Sequence, residues 1–342
     1  MRFSPKTVGV LAAIVTVAIW TSFIVIARAT AHRNLTPLDI CLLRFAGAAL
    51  VLLPWGAWLV WKRKRDAAPG LAPASWLGLS PLGFKLTALI GLVGGVGYAC
   101  LAYSGFYFAP AAHASVLLPG TLPLSTTLMA VLILKDRVTP VRAIGLGLIF
   151  LGDVLVGGAS LMRAWLEPGS EVWKGDLLFL SASTCWAVYS VLVRKHALQA
   201  VQATIAISVF AFVAYVPVYA LLVASGALVS QLASAPWGEI VFQVVFQGMG
   251  SVVISGITFT KMVQHFGPVR STMITAVVPG LSALGAVMFL GEPLHWNLLA
   301  GLALVTVGIV FGVRVQAQRA VSPPAVAPDL IAGDARPTRA KA

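Results

Sequence analysis

Acidic residues are scarce in this chain. It has 11 Asp and Glu in 342 residues, and charges of both signs make up 10% of it, against about 25% in an ordinary soluble domain. So few charges cannot cover a soluble surface. Cysteine is also rare. Cys41, Cys100 and Cys185 all sit inside apolar runs, and the five histidines are dispersed, which leaves no disulfide framework and no metal-ligand spacing. No GxxxxGK[ST] loop, HExxH, GxSxG or paired intramembrane aspartates occur. A built-in ATPase is therefore not expected, and a membrane-embedded hydrolase or transferase would lack its catalytic cluster. No catalytic residue, cofactor or metal site is expected. A net charge of +13 could suggest nucleic acid, but the bases gather at the ends of alternate apolar spans, so no nucleic-acid partner is expected.

What abounds is apolar length. The chain is 59% hydrophobic, and runs of roughly 20 apolar residues recur, enough to cross ~30 Å of hydrocarbon as a helix. In lipid only helices or closed barrels satisfy the backbone, and these runs are continuous rather than alternating. The fold class expected is an all-α integral membrane protein with ten transmembrane helices, near 8–29, 38–61, 84–108, 111–134, 141–158, 175–194, 202–225, 238–260, 270–290 and 294–314. Asn34, Thr36 and Pro37 mark the first turn, and Ala109-Pro110 a tight one. The first span loosely resembles a signal peptide ending at Ala27-Arg28-Ala29, but its apolar run is too long for one. Residues 66–82 read as a Pro/Ala/Gly-rich linker, and the tail with its SPPAVAPD segment reads as disordered.

With residues 1–7 in the cytoplasm, all of the 24 lysines and arginines fall inside except Arg28, Arg33, Arg44, Arg163 and Lys174. That positive-inside bias places both termini in the cytoplasm. Trp55, Trp58 and Trp61 close the second helix as interfacial anchors.

The two halves repeat. IWTSFIVIAR around Trp20 matches CWAVYSVLVR around Trp186, so that Trp20, Phe23 and Arg28 fall on Trp186, Tyr189 and Arg194. Pro123 precedes Asp136 by the interval at which Pro279 precedes Glu292, and Gly145 and Gly152 fall on Gly301 and Gly308. Phe108-Ala109-Pro110 aligns with Phe266-Gly267-Pro268. Five helices per copy is an odd number, so the copies must run oppositely through the membrane, an arrangement common to secondary transporters. The expected organisation is a first repeat at 8–158, an external loop at 159–174, a second repeat at 175–314 and a tail at 315–342.

LTPLDICLLRFAGAAL around Arg44, PLSTTLMAVLILKDRVTPVRAIGLGLIFLG after Pro123 and VVPGLSALGAVMFLGEPLHWNLLAGLALVTVG around Pro279 resemble the drug/metabolite transporter superfamily, with two EamA-type repeats. Lys135-Asp136 departs from the Gly-Glu more usual there, which Gly291-Glu292 keeps, and Asp153 stands where an aliphatic residue is usual. The resemblance implies a secondary active transporter in a bacterial inner membrane. Export of small metabolites, amino acids or amphipathic compounds by alternating access is the expectation, with uptake or exchange as the alternative and a membrane enzyme a remote one. A small-molecule substrate and the lipid bilayer are the expected partners.

Trp20 and Trp186 fall near the middle of their helices, where tryptophan is unusual, and could hold an organic substrate by stacking. Ser22, Phe23 and Tyr189 share or flank their faces. Tyr98, Tyr103, Gln243 and Gln247 add polar groups that need a partner when buried. Arg44 lies six residues into its helix, roughly 9 Å, and could serve an anion, pair near the outer mouth, or snorkel to the interface. Asp153 could hold a proton, pair with Arg44 or reach the outer interface. His113 begins the fourth helix. Pro123 and Pro279 interrupt equivalent helices, which points to gating at a transport site. Gly91 and Gly95 form a GxxxG pair that would permit a homodimer without specifying one.

Overall fold

The computed structural model describes residues 4–30, 34–67, 74–109, 111–291 and 296–314. Pro110, Glu292, Arg33 and the tail 315–342 lie outside them. Ten helices follow in order: α1 Pro5–Thr30, α2 Pro37–Arg65, α3 Phe84–Phe108, α4 His113–Leu134, α5 Pro140–Leu166, α6 Val172–Lys195, α7 Ala200–Ala224, α8 Trp237–Phe266, α9 Pro268–Phe289 and α10 Trp296–Arg314. Among the described residues, eight are long and apolar enough to cross a membrane, at 21–30 residues each. α10 is shorter, and α5, of 27 residues, packs along it.

Local chemistry sets the ends. Thr36 caps α2, accepting from Asp39 N at 3.2 Å, while Asp39 Oδ2 accepts from Thr36 N at 3.0 Å, a reciprocal box that satisfies two orphan donors. At the other end Lys62 lies 5.4 Å over Trp58 and Arg65 4.9 Å over Trp61, which suits a lipid–water boundary. α5 continues to Leu166 instead of stopping at 158. The Gly157-Gly158 pair is tolerated, and the break comes at Pro168 and at Gly169, with φ +79°. Part of the 66–82 linker is ordered: Trp76 pairs with Ser80 around a tight turn and its ring meets Phe84 and Phe210.

Helix neighbours show the repeat. The main helix contacts in one half have counterparts in which every helix is exchanged for the one five places away. α3 packs on α6 as α8 packs on α1; α2 on α8 as α7 on α3; α4 on α6 as α9 on α1. The pairs α2–α7, α4–α9 and α5–α10 map onto themselves and so straddle a two-fold axis. The copies are inverted.

At α5–α10 the glycines meet backbone to backbone. A Cβ on Gly145 would lie 2.7 Å from Gly308 O, and one on Gly152 would lie 2.7 Å from Gly301 O. Since Gly145 matches Gly301 and Gly152 matches Gly308, the axis exchanges these two contacts. Gly91 and Gly95 are used inside the protomer against Phe210 and Ile207 of α7, so the GxxxG pair offers no dimer face.

Lys135, which ends α4, has φ +58°, and Gly291 after α9 has φ +69°. A side chain in this left-handed region costs about 1 kcal/mol or more. Lys135→Gly is expected to raise the unfolding midpoint of the detergent-purified protein; a lowered midpoint would show that Lys135 makes a compensating contact.

Candidate functional site

Each α3, α4 and α8 contains a stretch of wider, π-type winding: Leu92–Val96, Val116–Gly120 and Val244–Ile254. Such turns leave the i→i−4 ladder and are frequent at functional sites. In α4 the regular helix resumes at Leu122, with Pro123 at its second position, and in α9 it resumes at Val278, with Pro279 at its second position. The two breaks are equivalent by repeat. They precede the prolines that signalled them, because a proline fits the first turn of a helix. Pro119 adds to the break in α4. Hydroxyls satisfy carbonyls there: Thr121 donates to Leu117 O at 2.7 Å, and Ser183 of α6 donates to Leu118 O at 3.0 Å.

These breaks face a pocket at the meeting of the two repeats. Its cavity volume is about 40 Å³ in this conformation. α1 supplies Trp20, Phe23 and Ile24; α2 Arg44; α3 Tyr98, Ala102 and Tyr103; α4 Leu118, Pro119 and Leu122; α6 Ser183 and Trp186; α8 Ser251; α9 Val278. Leu122 and Val278 are repeat equivalents, as are Trp20 and Trp186. The tryptophan rings meet edge to face at 5.9 Å. Phe259 stacks on Trp20 at 5.3 Å and Tyr98 lies 4.9 Å from Trp186.

The polar groups divide by whether they are already partnered. Trp20 Nε1 donates to Ser255 Oγ at 2.7 Å. Tyr103 OH donates to Gln247 Oε1 at 2.7 Å. Trp186 Nε1 is buried with no acceptor among the described residues. Arg44 is 7% exposed. It does not snorkel: its Nη1 donates to Ser251 Oγ at 2.8 Å and reaches Gln247 Oε1 at 3.5 Å. Among the described residues no carboxylate comes within ion-pair distance of it. A second, smaller chamber of about 20 Å³ lies beyond, lined by Tyr189, Thr204, Ser208 and Gly256 among others. Arg44, Trp186 and Ser251 line both spaces.

Several expected residues stand elsewhere. Ser22 is exposed and donates back to Ala18 O at 2.9 Å. It lies two residues from Trp20, about 200° around the helix. Tyr189 is buried behind Trp186, its hydroxyl bonded to Thr260 at 2.7 Å. Gln243 is buried but lines neither chamber. His113 Nδ1 meets Asp176 Oδ1 at 2.8 Å, and Trp165 donates to Asp176 Oδ2 at 2.7 Å. Asp153 does not pair with Arg44. It lies against the α4 break, where a Cβ on Gly120 would fall 2.7 Å from Asp153 Oδ2. Ser183, Ser251, Ser255, Phe259 and Asp176 were not singled out by sequence. Ser251 and Ser255 continue the four-residue spacing of Gln243 and Gln247, which was the legible signal.

Two buried carboxylates contrast. Asp39 is fully buried and accepts from Thr36 N, Tyr219 OH, Ser230 Oγ and Gln231 N, so it braces α2 against the α7–α8 connection. Asp153 is 2% exposed, and neither oxygen has a hydrogen-bond partner among the described residues.

Two inverted five-helix repeats around an internal pocket define a membrane carrier. The chain belongs to the EamA-like transporter family, which it matches over residues 7–158 and 173–314. It is 23% identical over 230 residues to the uncharacterized transporter YyaM of Bacillus subtilis (strain 168), covering 65% of this chain and 70% of that protein. A solved crystal structure of 21% identity shares the fold, with a TM-score of 0.65 over 92% of this chain and 99% of the other.

Proposed function

We propose that this transporter exports small organic molecules that join an anionic group to an apolar body, such as carboxylate-bearing metabolites or amino acids with apolar side chains. The observation that carries this reading is Arg44 lining an aromatic pocket with no carboxylate among its described lining residues. A guanidinium is a strong partner for a substrate carboxylate, and the tryptophan and tyrosine rings suit an apolar body. Trp186 Nε1 adds an unused donor. A purely cationic cargo would meet Arg44 as a like charge.

The positive-inside bias supports an inner-membrane orientation with the N-terminus in the cytoplasm. The equivalent breaks in α4 and α9 support alternating access through bending at Leu122 and Val278. Asp153 is our candidate for proton coupling. An ionised carboxylate buried without donors costs several kcal/mol, so charge on Asp153 goes with hydration of the α4 break.

The test is flux. Cells expressing the protein should accumulate carboxylate-bearing solutes in the medium, beside cells expressing Arg44→Gln at equal membrane abundance. Export of cationic compounds alone, or equal export by the variant, would contradict the anionic-cargo reading. In proteoliposomes, Asp153→Asn is expected to retain exchange of substrate for substrate while losing about 10-fold or more of uphill flux driven by a pH gradient, the scale of one general proton-transfer group or more. Unchanged uphill flux in the variant would remove Asp153 from coupling.

A further inference from the structure

At the end of the bundle where α4 and α6 finish and α5 and α9 begin, Arg194 and Arg142 stand about Asp136, and Arg270 stands beside Arg142. Arg194 Nη1 bonds Asp136 Oδ2 at 2.6 Å, with side chains 45% and 22% exposed. Arg142, near the start of α5, is 5% exposed, and its Nε has no partner among the described residues. It lies within electrostatic range of both Asp136 and Arg194. Arg270, near the start of α9, lies within range of Arg142 in turn, and its Nε and Nη2 are buried and unpartnered. Three positive charges thus stand in sequence, and the carboxylate beside the first two is already engaged by Arg194. Buried like charges with unused donors are unfavourable unless an anion joins them.

The opposite end keeps Arg28 and Glu292 as counterparts of Arg194 and Asp136 in sequence, but not the other two arginines. By the repeat, Leu298 stands where Arg142 stands, and Ala112 where Arg270 stands. The helix packing does not require the arginines, since the equivalent places use apolar residues.

We propose that Arg142, Arg194 and Arg270 form a binding site for a phosphate group, at this end only. The planar guanidinium forks match the several oxygens of a phosphate. Half-exposed Arg194 gives access from outside, while the buried donors of Arg142 and Arg270 give depth. The site is separate from the pocket around Arg44, because none of its arginines lines that pocket. The phosphate can come from the headgroup of an anionic phospholipid or from a soluble phosphate compound.

The experiment uses the full chain in a neutral detergent. Its unfolding midpoint is measured with sodium phosphate against sodium chloride at matched ionic strength, and with phosphatidylglycerol against phosphatidylcholine in mixed micelles. The site predicts a rise of several degrees with at least one phosphate source, and loss of that rise in Arg142→Gln/Arg270→Gln. A response to phosphatidylglycerol alone assigns the headgroup; a response to inorganic phosphate assigns a soluble ligand. Arg194→Gln, at the exposed edge, should weaken the response even if the double variant fails to fold. No rise with either source, or an equal rise in a variant, overturns the proposal.

Discussion

Trp186→Ala is expected to lower substrate flux by about 10–100-fold, the equivalent of ~1.4–2.8 kcal/mol in the transported complex. Trp186 is the ring that Trp20, Tyr98, Tyr189 and Phe259 all touch, with centroids 4.9–5.9 Å away. It also borders both chambers and keeps an unused Nε1 donor. The alanine variant carries a confounding effect, because emptying a core aromatic site costs about 3–5 kcal/mol of stability. Trp186→Phe separates the two. It keeps a ring and deletes the donor, so abundance and melting should stay near native while flux falls about 3–10-fold, as for loss of one hydrogen bond. Flux per folded molecule, measured in proteoliposomes, decides the matter. If Trp186→Phe transports at the native rate with native affinity, the donor has no role in binding. If Trp186→Ala does too, the pocket is not the site.

Gly308→Leu is expected to prevent assembly of a folded protein. A Cβ at Gly308 would lie 2.7 Å from Gly145 O and 2.9 Å from Ile149 N, and backbone atoms of a packed helix cannot swing aside as a side chain can. The helices must separate, which also disturbs the exchanged contact between Gly152 and Gly301. Overpacking commonly costs about 1–3 kcal/mol, and a clash with backbone in a shared axis belongs at or above the top of that range. Gly147, on the facing helix α5, supplies the control: a Cβ there would meet nothing within 4 Å. Gly147→Leu should therefore give a single sharp peak on size exclusion after mild extraction, where Gly308→Leu gives aggregate or nothing. Matching profiles for the two variants would mean that the α5–α10 contact tolerates a side chain at its glycines.

The helix count and the repeat were legible because both rest on long patterns. Apolar runs of membrane-spanning length have few alternatives, and matches at three places in the same order fix the pairing. The site was legible in part. Trp20, Trp186, Phe23, Tyr98, Tyr103 and Arg44 come together because they share helix faces that spacing can identify. Ser22 fails for the same reason inverted, since neighbours in sequence point apart on a helix. Arg44 was ambiguous because depth along an axis says nothing about rotation; a stem that could reach the interface turns instead toward Ser251. Tyr189 shows where repeat logic stops. Its counterpart Phe23 lines the first chamber, while Tyr189 lines the second, behind Trp186. The partners of Asp153 and His113 depend on helix packing that no local pattern records.

α4 is tied to α6 near both of its ends, by His113 to Asp176 and by Asp136 to Arg194. A rod pinned at two points cannot tilt about either one without tearing the other. While both ties hold, the remaining freedom of α4 is to flex at its middle, where Val116–Gly120 interrupt it. Large swings of α4 against α6 then demand that one tie open first, and whichever opens frees that end of the helix while the other end serves as the pivot.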